Sequence, residues 1–189
     1  EYVNEYCKEK GITVIPEIET PGHAEALIAA YPEFGCTGNK IEVQNNWGVF
    51  ENVMNPSSPQ LWVFLDAAIK ELSSIFDGPF IHIGGDECPH TQWEDHEGCK
   101  AIMEENGISN TSELQGCFTS RVSEIVKKYG KRAIGWDEVV DAPEIDKDVV
   151  VMSWRGLNGA RTASSRGHNV ILCPENGRSE ERRVGKECS

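Results

Sequence analysis

The 189-residue sequence is poor in positive charge: 18 Lys+Arg stand against 31 Asp+Glu, a formal net charge of −13. No basic stripe is available to displace counterions, so the acidic balance opposes binding to nucleic acid or anionic lipid, and no nucleic-acid partner is expected. No apolar run approaches the roughly 18 residues a membrane span needs, so no span is expected. C-x-x-C pairs and metal-ligand spacings are missing among the seven cysteines at 7, 36, 88, 99, 117, 173 and 188. These read as scattered small apolar side chains rather than a disulfide framework, and they leave the redox compartment open. The chain opens on Glu1 with no initiator Met, signal peptide or transit peptide, which points to a fragment whose amino terminus lies upstream.

What is present belongs to a folded chain. With 39% hydrophobic residues, five Trp and 26% charged residues, it fits one domain with a buried core. Residues 1–10 read as the end of a helix stopped by Gly11, followed by the β-branched run ITVIPEI and a helical stretch from His23 to about Tyr31. Residues 32–57 are loop-like, with Trp47 and Phe50 expected on the surface. Ser57 or Ser58, with Pro59 behind it, caps a helix whose Leu61, Phe64, Leu65, Ala68, Ile69 and Leu72 share one stripe. The strand PFIHI, helices over about 98–106 and 111–129 (capped by Thr111 or Ser112), and the strands RAIGW, DVVVMSW and NVILC follow.

About five strands thus alternate with helices, and no hairpin signal joins any two. That is the rhythm of an α/β protein with a parallel sheet. A barrel and an open doubly wound sheet share this rhythm. Polar and aromatic residues gather where strands end: Glu17 and Glu19, Asp86 and Glu87, Trp136 with Asp137 and Glu138, and Trp154 with Arg155. Such clustering favours a barrel, whose strands all open onto one face. The expectation is part of a (β/α)8 TIM-type barrel over residues 1–174, with about five of eight strands. From Glu175 the text changes character, and Arg178–Cys188 (RSEERRVGKEC) resembles translated sequencing-adapter read-through; 175–189 is expected to be a non-native tail.

The strongest chemical segment is His82-Ile-Gly-Gly-Asp86-Glu87 at a strand end. Two glycines allow a sharp turn and close approach of a ligand. Adjacent carboxylates disfavour double ionisation, so one can retain a proton, and a protonated acid beside a charged one suits glycosidic cleavage. A solvated acidic loop is the bland alternative. A metal site of His82, Asp86 and His90 is another, but no regular ligand spacing supports it.

IPEIETPGH, HIGGDE, GWDE and MSW, in this order and each at a strand end, resemble the catalytic barrel of glycoside hydrolase family 20, the β-N-acetylhexosaminidases. The resemblance covers about residues 1–174. It implies a retaining exo-glycosidase that removes terminal β-linked GlcNAc or GalNAc from glycans or chitooligosaccharides, with no cofactor and no metal. It also implies substrate-assisted catalysis, in which the sugar's 2-acetamido oxygen attacks the anomeric carbon. By motif match, Glu87 would be general acid and then base, and Asp86 would orient the acetamido group. Trp136 and Trp154 would line the acetamido pocket, and His23 would sit near the general acid. Trp93 would either reach the leaving-group side or pack its loop. Asp137 and Glu138 would bind sugar hydroxyls or support from behind.

The resemblance further implies an arginine and an acidic residue on earlier strands, and a tyrosine, an aspartate and a tryptophan on later ones. This chain does not show them, so the piece by itself is expected to be inactive or insoluble. Family members are often exported, on a signal that would precede residue 1. A non-catalytic sugar-binding relic would be expected to lose the Asp-Glu pair, and a metal-dependent amidohydrolase would be chelator-sensitive. Sugar configuration and oligomeric state are not legible.

Overall fold

In the computed structural model, which describes residues 2–142 and 145–174, five parallel strands form one sheet in the order β1-β2-β3-β4-β5. The strands are β1 (Glu17–Thr20), β2 (Phe80–Gly84), β3 (Arg132–Trp136), β4 (Val150–Ser153) and β5 (Val170–Leu172). Every strand pairs with its neighbour in sequence, always in parallel. A doubly wound sheet would reverse its strand order at a switch point; strictly sequential order is the arrangement of a barrel wall. The tail expected from 175 onward lies outside the described residues.

The helices are α1 (Tyr2–Glu9), α2 (Glu25–Ala30), α3 (Pro59–Ile75), α4 (Thr91–Asp95), α5 (Glu97–Asn106), α6 (Thr111–Lys128) and α7 (Leu157–Ser165). Helix α3 begins as its sequence dictates: Ser58 Oγ accepts from the Leu61 N–H and Pro59 occupies the first turn. Its stripe delivers Leu61, Leu65 and Ile69 to full burial, each contributing about 1.5–3 kcal/mol. They pack with Ile81 and Ile83 of β2 and with Phe118, Val122 and Val126 of α6. With Ile81 and Ile83 of β2 packed into this core, His82 and the strand's polar carboxyl end are left facing the other way.

Three local expectations shift. The first ladder starts late: the His82 N–H bonds the Pro16 carbonyl at 2.8 Å, and β1 covers Glu17–Thr20 rather than ITVIPEI. Pro16 has no N–H to give, and the Ile12 N–H turns back to the Cys7 carbonyl to close α1. Helix α6 is capped by Asn110, whose side chain accepts from the Glu113 N–H, rather than by Thr111 or Ser112. Glu113 in turn accepts from the Ser109 N–H at 2.8 Å, a reciprocal arrangement that outcompetes a cap one residue later. Finally, α4 and the 3-10 turn Pro32–Phe34 occupy stretches read as loop.

The cysteines are less scattered than their spacing suggests. Cys99 is fully buried with Val53, Trp93 and Leu114, and Cys36 and Cys88 pack against that same cluster. This second, smaller core fastens the 32–57 loop to the segment that follows β2.

Candidate active site

The site is built where β1 and β2 end. Thr20 Oγ1 donates to the Ile83 carbonyl at 2.7 Å and pins the two strand ends together. Beyond Thr20 come a cis bond to Pro21, then Gly22 and His23. Gly22 lies so close to the opposite turn that a Cβ there would stand 3.1 Å from the Asp86 carbonyl oxygen. Across from it, Gly84 and Gly85 turn the chain with φ of +72° and +102°, and Asp86 and Glu87 follow. His23 and Glu87 themselves adopt positive φ, +50° and +45°. That conformation is uncommon for residues other than glycine and is held here by the packed turns around it.

The result is convergence. His23 Nε2 lies 3.2 Å from Glu87 Oε2 and 3.5 Å from Asp86 Oδ2. One donor atom from each of the three falls within 4.8 Å of the others, the one such His and carboxylate group among the described residues. That spacing is also one a cation could use, but the atoms are those acid–base chemistry needs and a hydrogen bond already links two of them. The alternative set of His82, Asp86 and His90 is not assembled. His90 engages Gln115 Oε1 through Nε2 at 2.8 Å and Thr111 Oγ1 through Nδ1 at 3.2 Å. Gln115 also donates to the Gly85 carbonyl at 2.8 Å, steadying the turn that carries the acids.

A wider acidic ring surrounds the pair. Trp136 Nε1–H donates to Glu17 Oε1 at 2.9 Å, and that oxygen stands 3.2 Å from His82 Nδ1. The buried His82 ring lies against Trp136 with centroids 4.5 Å apart. Burial holds His82 below the usual imidazole range despite the pull of Glu17 and Asp86, so the ring is neutral and Nδ1 accepts the Gly84 N–H at 3.1 Å. Burial, with the charge of Asp86 and Glu17 added, pushes the Glu19 carboxyl up to about 9.

On the far side, Trp154 Nε1–H donates to Glu138 at 2.9 Å. Asp137 is fully buried, accepting from Ser153 Oγ at 3.2 Å and from Arg155 Nε at 3.2 Å. Burial raises the Glu138 carboxyl to about 7, against the lowering effects of the Trp154 N–H and Arg155. A cleft of about 380 Å³ opens beside Glu87 and is also lined by Cys88, His90, Gln115, Glu138 and Asp141. Glu87, Asp86 and His23 are therefore together. Trp136 and Trp154 are tied to the same strand-end face through Glu17 and Glu138.

Trp93 is a correction. Its side chain is fully buried, donates Nε1–H to the Met54 carbonyl at 2.9 Å and stacks near His90 and Phe118. A wholly enclosed indole presents no face to a sugar; of the two roles open to it, the packing one is what the structure shows. Gln115 escaped sequence reading altogether. The one available signal was a polar side chain beside Leu114 and Phe118, on the inward part of an otherwise amphipathic helix.

A parallel barrel wall with adjacent carboxylates at its carboxyl end, flanked by strand-end tryptophans, is the place where barrel enzymes build their active sites. Comparison with known proteins narrows the class: residues 1–178 match the glycosyl hydrolase family 20 catalytic domain, and the chain belongs to that family. It is 39% identical over 173 residues to a beta-hexosaminidase of Porphyromonas gingivalis, covering 92% of this chain and 22% of that protein. It is 37% identical over 170 residues to a beta-hexosaminidase of Vibrio furnissii, covering 89% and 28%. Among solved structures, a Flavobacterium johnsoniae chitobiase superposes with a TM-score of 0.85 at 30% identity, over 92% of this chain and 27% of that one. An exo-β-N-acetylglucosaminidase of Vibrio harveyi in complex with N-acetylglucosamine gives 0.80 at 34% identity, over 92% and 27%. The chain thus spans about a quarter of the length of these relatives.

Proposed function

We propose that the protein carrying this chain is a retaining exo-glycosidase that releases terminal β-linked N-acetylhexosamine from glycans or chitooligosaccharides. The observation that carries the reading is the gathering of Asp86 and Glu87 around one imidazole nitrogen. A two-carboxylate retaining enzyme sets its acid and its nucleophile on opposite faces of the sugar, about 5–5.5 Å apart. Adjacent residues that share one histidine stand on the same side, so neither is placed as the opposing nucleophile. The substrate's own acetamido oxygen supplies that role.

In this mechanism Glu87 protonates the leaving oxygen and later deprotonates the attacking water. Asp86 accepts the acetamido N–H and offsets positive charge on the cyclised oxazolinium ring. His23, 3.2 Å from Glu87 Oε2, steadies the acid as it changes charge. Trp136 and Trp154 enclose the acetamido methyl and exclude water. The Vibrio harveyi relative is in complex with N-acetylglucosamine, which supports the same sugar here. Among the described residues no helix is long and apolar enough to cross a membrane.

The test compares the whole enzyme with its Glu87→Gln form on a series of aryl N-acetyl-β-glucosaminides. Loss of the acid should slow poor leaving groups most and good ones least. Equal slowing across the series would remove Glu87 from proton donation.

A further inference from the structure

Glu19 and Asp86 each carry a buried carboxylate oxygen, Oε2 and Oδ1, with no hydrogen-bond partner. An orphaned buried acceptor costs about 1–3 kcal/mol, and two ionised carboxylates side by side add repulsion. Glu19 has little freedom to escape. Its Oε2 lies in the space above Gly84 that any side chain would fill, and its backbone is locked in β1. It stands within hydrogen-bonding reach of Glu17 on its own strand and of Asp86 beyond β2, both negative. Neither neighbouring imidazole bonds these two oxygens. The neutral His82 accepts the Gly84 N–H at Nδ1 and leaves its own buried Nε2 without a partner, and His23 faces Asp86 through the other oxygen, Oδ2, at 3.5 Å.

A proton on the Glu19 carboxyl would supply the donor that this pair of acids lacks. We propose that Glu19 is a positioning residue held as the neutral acid, its carboxyl O–H donating to Asp86 and fixing that carboxylate for the acetamido group. With Oδ2 facing His23 and Oδ1 accepting from Glu19, the Asp86 carboxylate is held at both ends. The buried Oδ1 is occupied by Glu19, and Oδ2 keeps a lone pair for the substrate N–H. A carboxyl raised to about 9 by burial and by Asp86 keeps its proton through the neutral range. The step transfers no proton during turnover; the acid serves as a fixed donor, and ionising it would place a second charge beside Asp86.

This assignment rests on the proposed function for its consequence but not for its chemistry, and the two are separable. In the whole enzyme at neutral pH, infrared difference spectra should show a protonated-carboxyl C=O band that disappears in Glu19→Gln. Glu19→Gln retains a donor and should keep kcat within about tenfold of the parent. Glu19→Ala loses the donor and should lower kcat by about a hundredfold with a smaller change in KM, as expected for a misplaced catalytic group. Ionisation of Glu87, the proposed general acid, lowers kcat at alkaline pH in both forms; the parent should lose kcat more steeply there as Glu19 also ionises, and Glu19→Gln should lack that added loss. If the alanine form fails to fold, the spectrum and alkaline limb of the glutamine form decide. Absence of the band, equal damage from Gln and Ala, or a parent-like rate in Ala would overturn the assignment. A parent enzyme inactive on N-acetylhexosaminides would sink the function and the positioning role together, while the band would still report the proton.

Discussion

The two halves of the strand-end face handle buried acids differently. Around β1 and β2, the basic side chains facing Glu17, Asp86 and Glu87 are the imidazoles of His23 and His82, with the Trp136 N–H also donating to Glu17. Around β3 and β4, Asp137, Glu138 and Asp141 share Arg155, with separations of 3.2, 3.6 and 3.5 Å. Burial is the largest influence on both Glu19 and Glu138, yet one carboxyl rises to about 9 and the other to about 7. At Glu138 the Trp154 N–H, a backbone hydrogen bond and then the Arg155 guanidinium pull the value down, whereas at Glu19 the neighbouring Asp86 and Glu17 push it further up. A permanent cation favours ionised acids on one side. Its absence favours a retained proton on the other, as at Glu19.

The sharpest way to break that contrast is at the proton-holding half. In the whole enzyme, Glu87→Gln should reduce kcat/KM on poor leaving groups by about 10²–10⁴-fold, read by steady-state kinetics. On the cation side, Arg155→Met strands the fully buried Asp137. Since Arg155 is itself 41% exposed, the expected loss is about 1–3 kcal/mol in chemical denaturation. A third test uses pH. The Glu138 carboxyl is raised from 4.5 to about 7, so the folded state holds more protons than the unfolded one between those values. Its stabilising contribution is complete below about 4.5 and is lost as pH rises to about 7. Glu138→Gln should flatten this part of the stability profile, by no more than about 1.4 kcal/mol per pH unit. Smallest is Trp93→Phe, which removes the N–H held by the Met54 carbonyl. It should cost about 1 kcal/mol of stability and leave KM unchanged; a raised KM would return Trp93 to the substrate.

Much of this face was legible because strand ends in a parallel sheet carry their own signature. Glu17, Glu19, Asp86, Glu87, Trp136, Glu138, Trp154 and Arg155 all stand out as polar or aromatic residues at the close of apolar runs. Strand order, which separates a barrel from a doubly wound sheet, depends on long-range pairing that periodicity does not encode. The partnerships were hidden for the same reason: Trp136 and Glu17 are 119 positions apart. The left-handed conformations of His23 and Glu87 carry no compositional mark, since such positions normally call for glycine. Trp93 and Phe50 look alike as loop aromatics. Only the carbonyl of Met54 and the surrounding core decide that Trp93 is wholly enclosed.

The central claim is that the substrate, not an enzyme carboxylate, attacks the anomeric carbon. Its most direct test is kcat/KM of the whole enzyme on aryl N-acetyl-β-glucosaminides whose acetamido methyl carries none, one, two or three fluorines. Fluorine drains electron density from the attacking oxygen, so kcat/KM should fall at every step, by roughly a hundredfold or more across the series. A flat series would contradict the account and place the nucleophile on the protein.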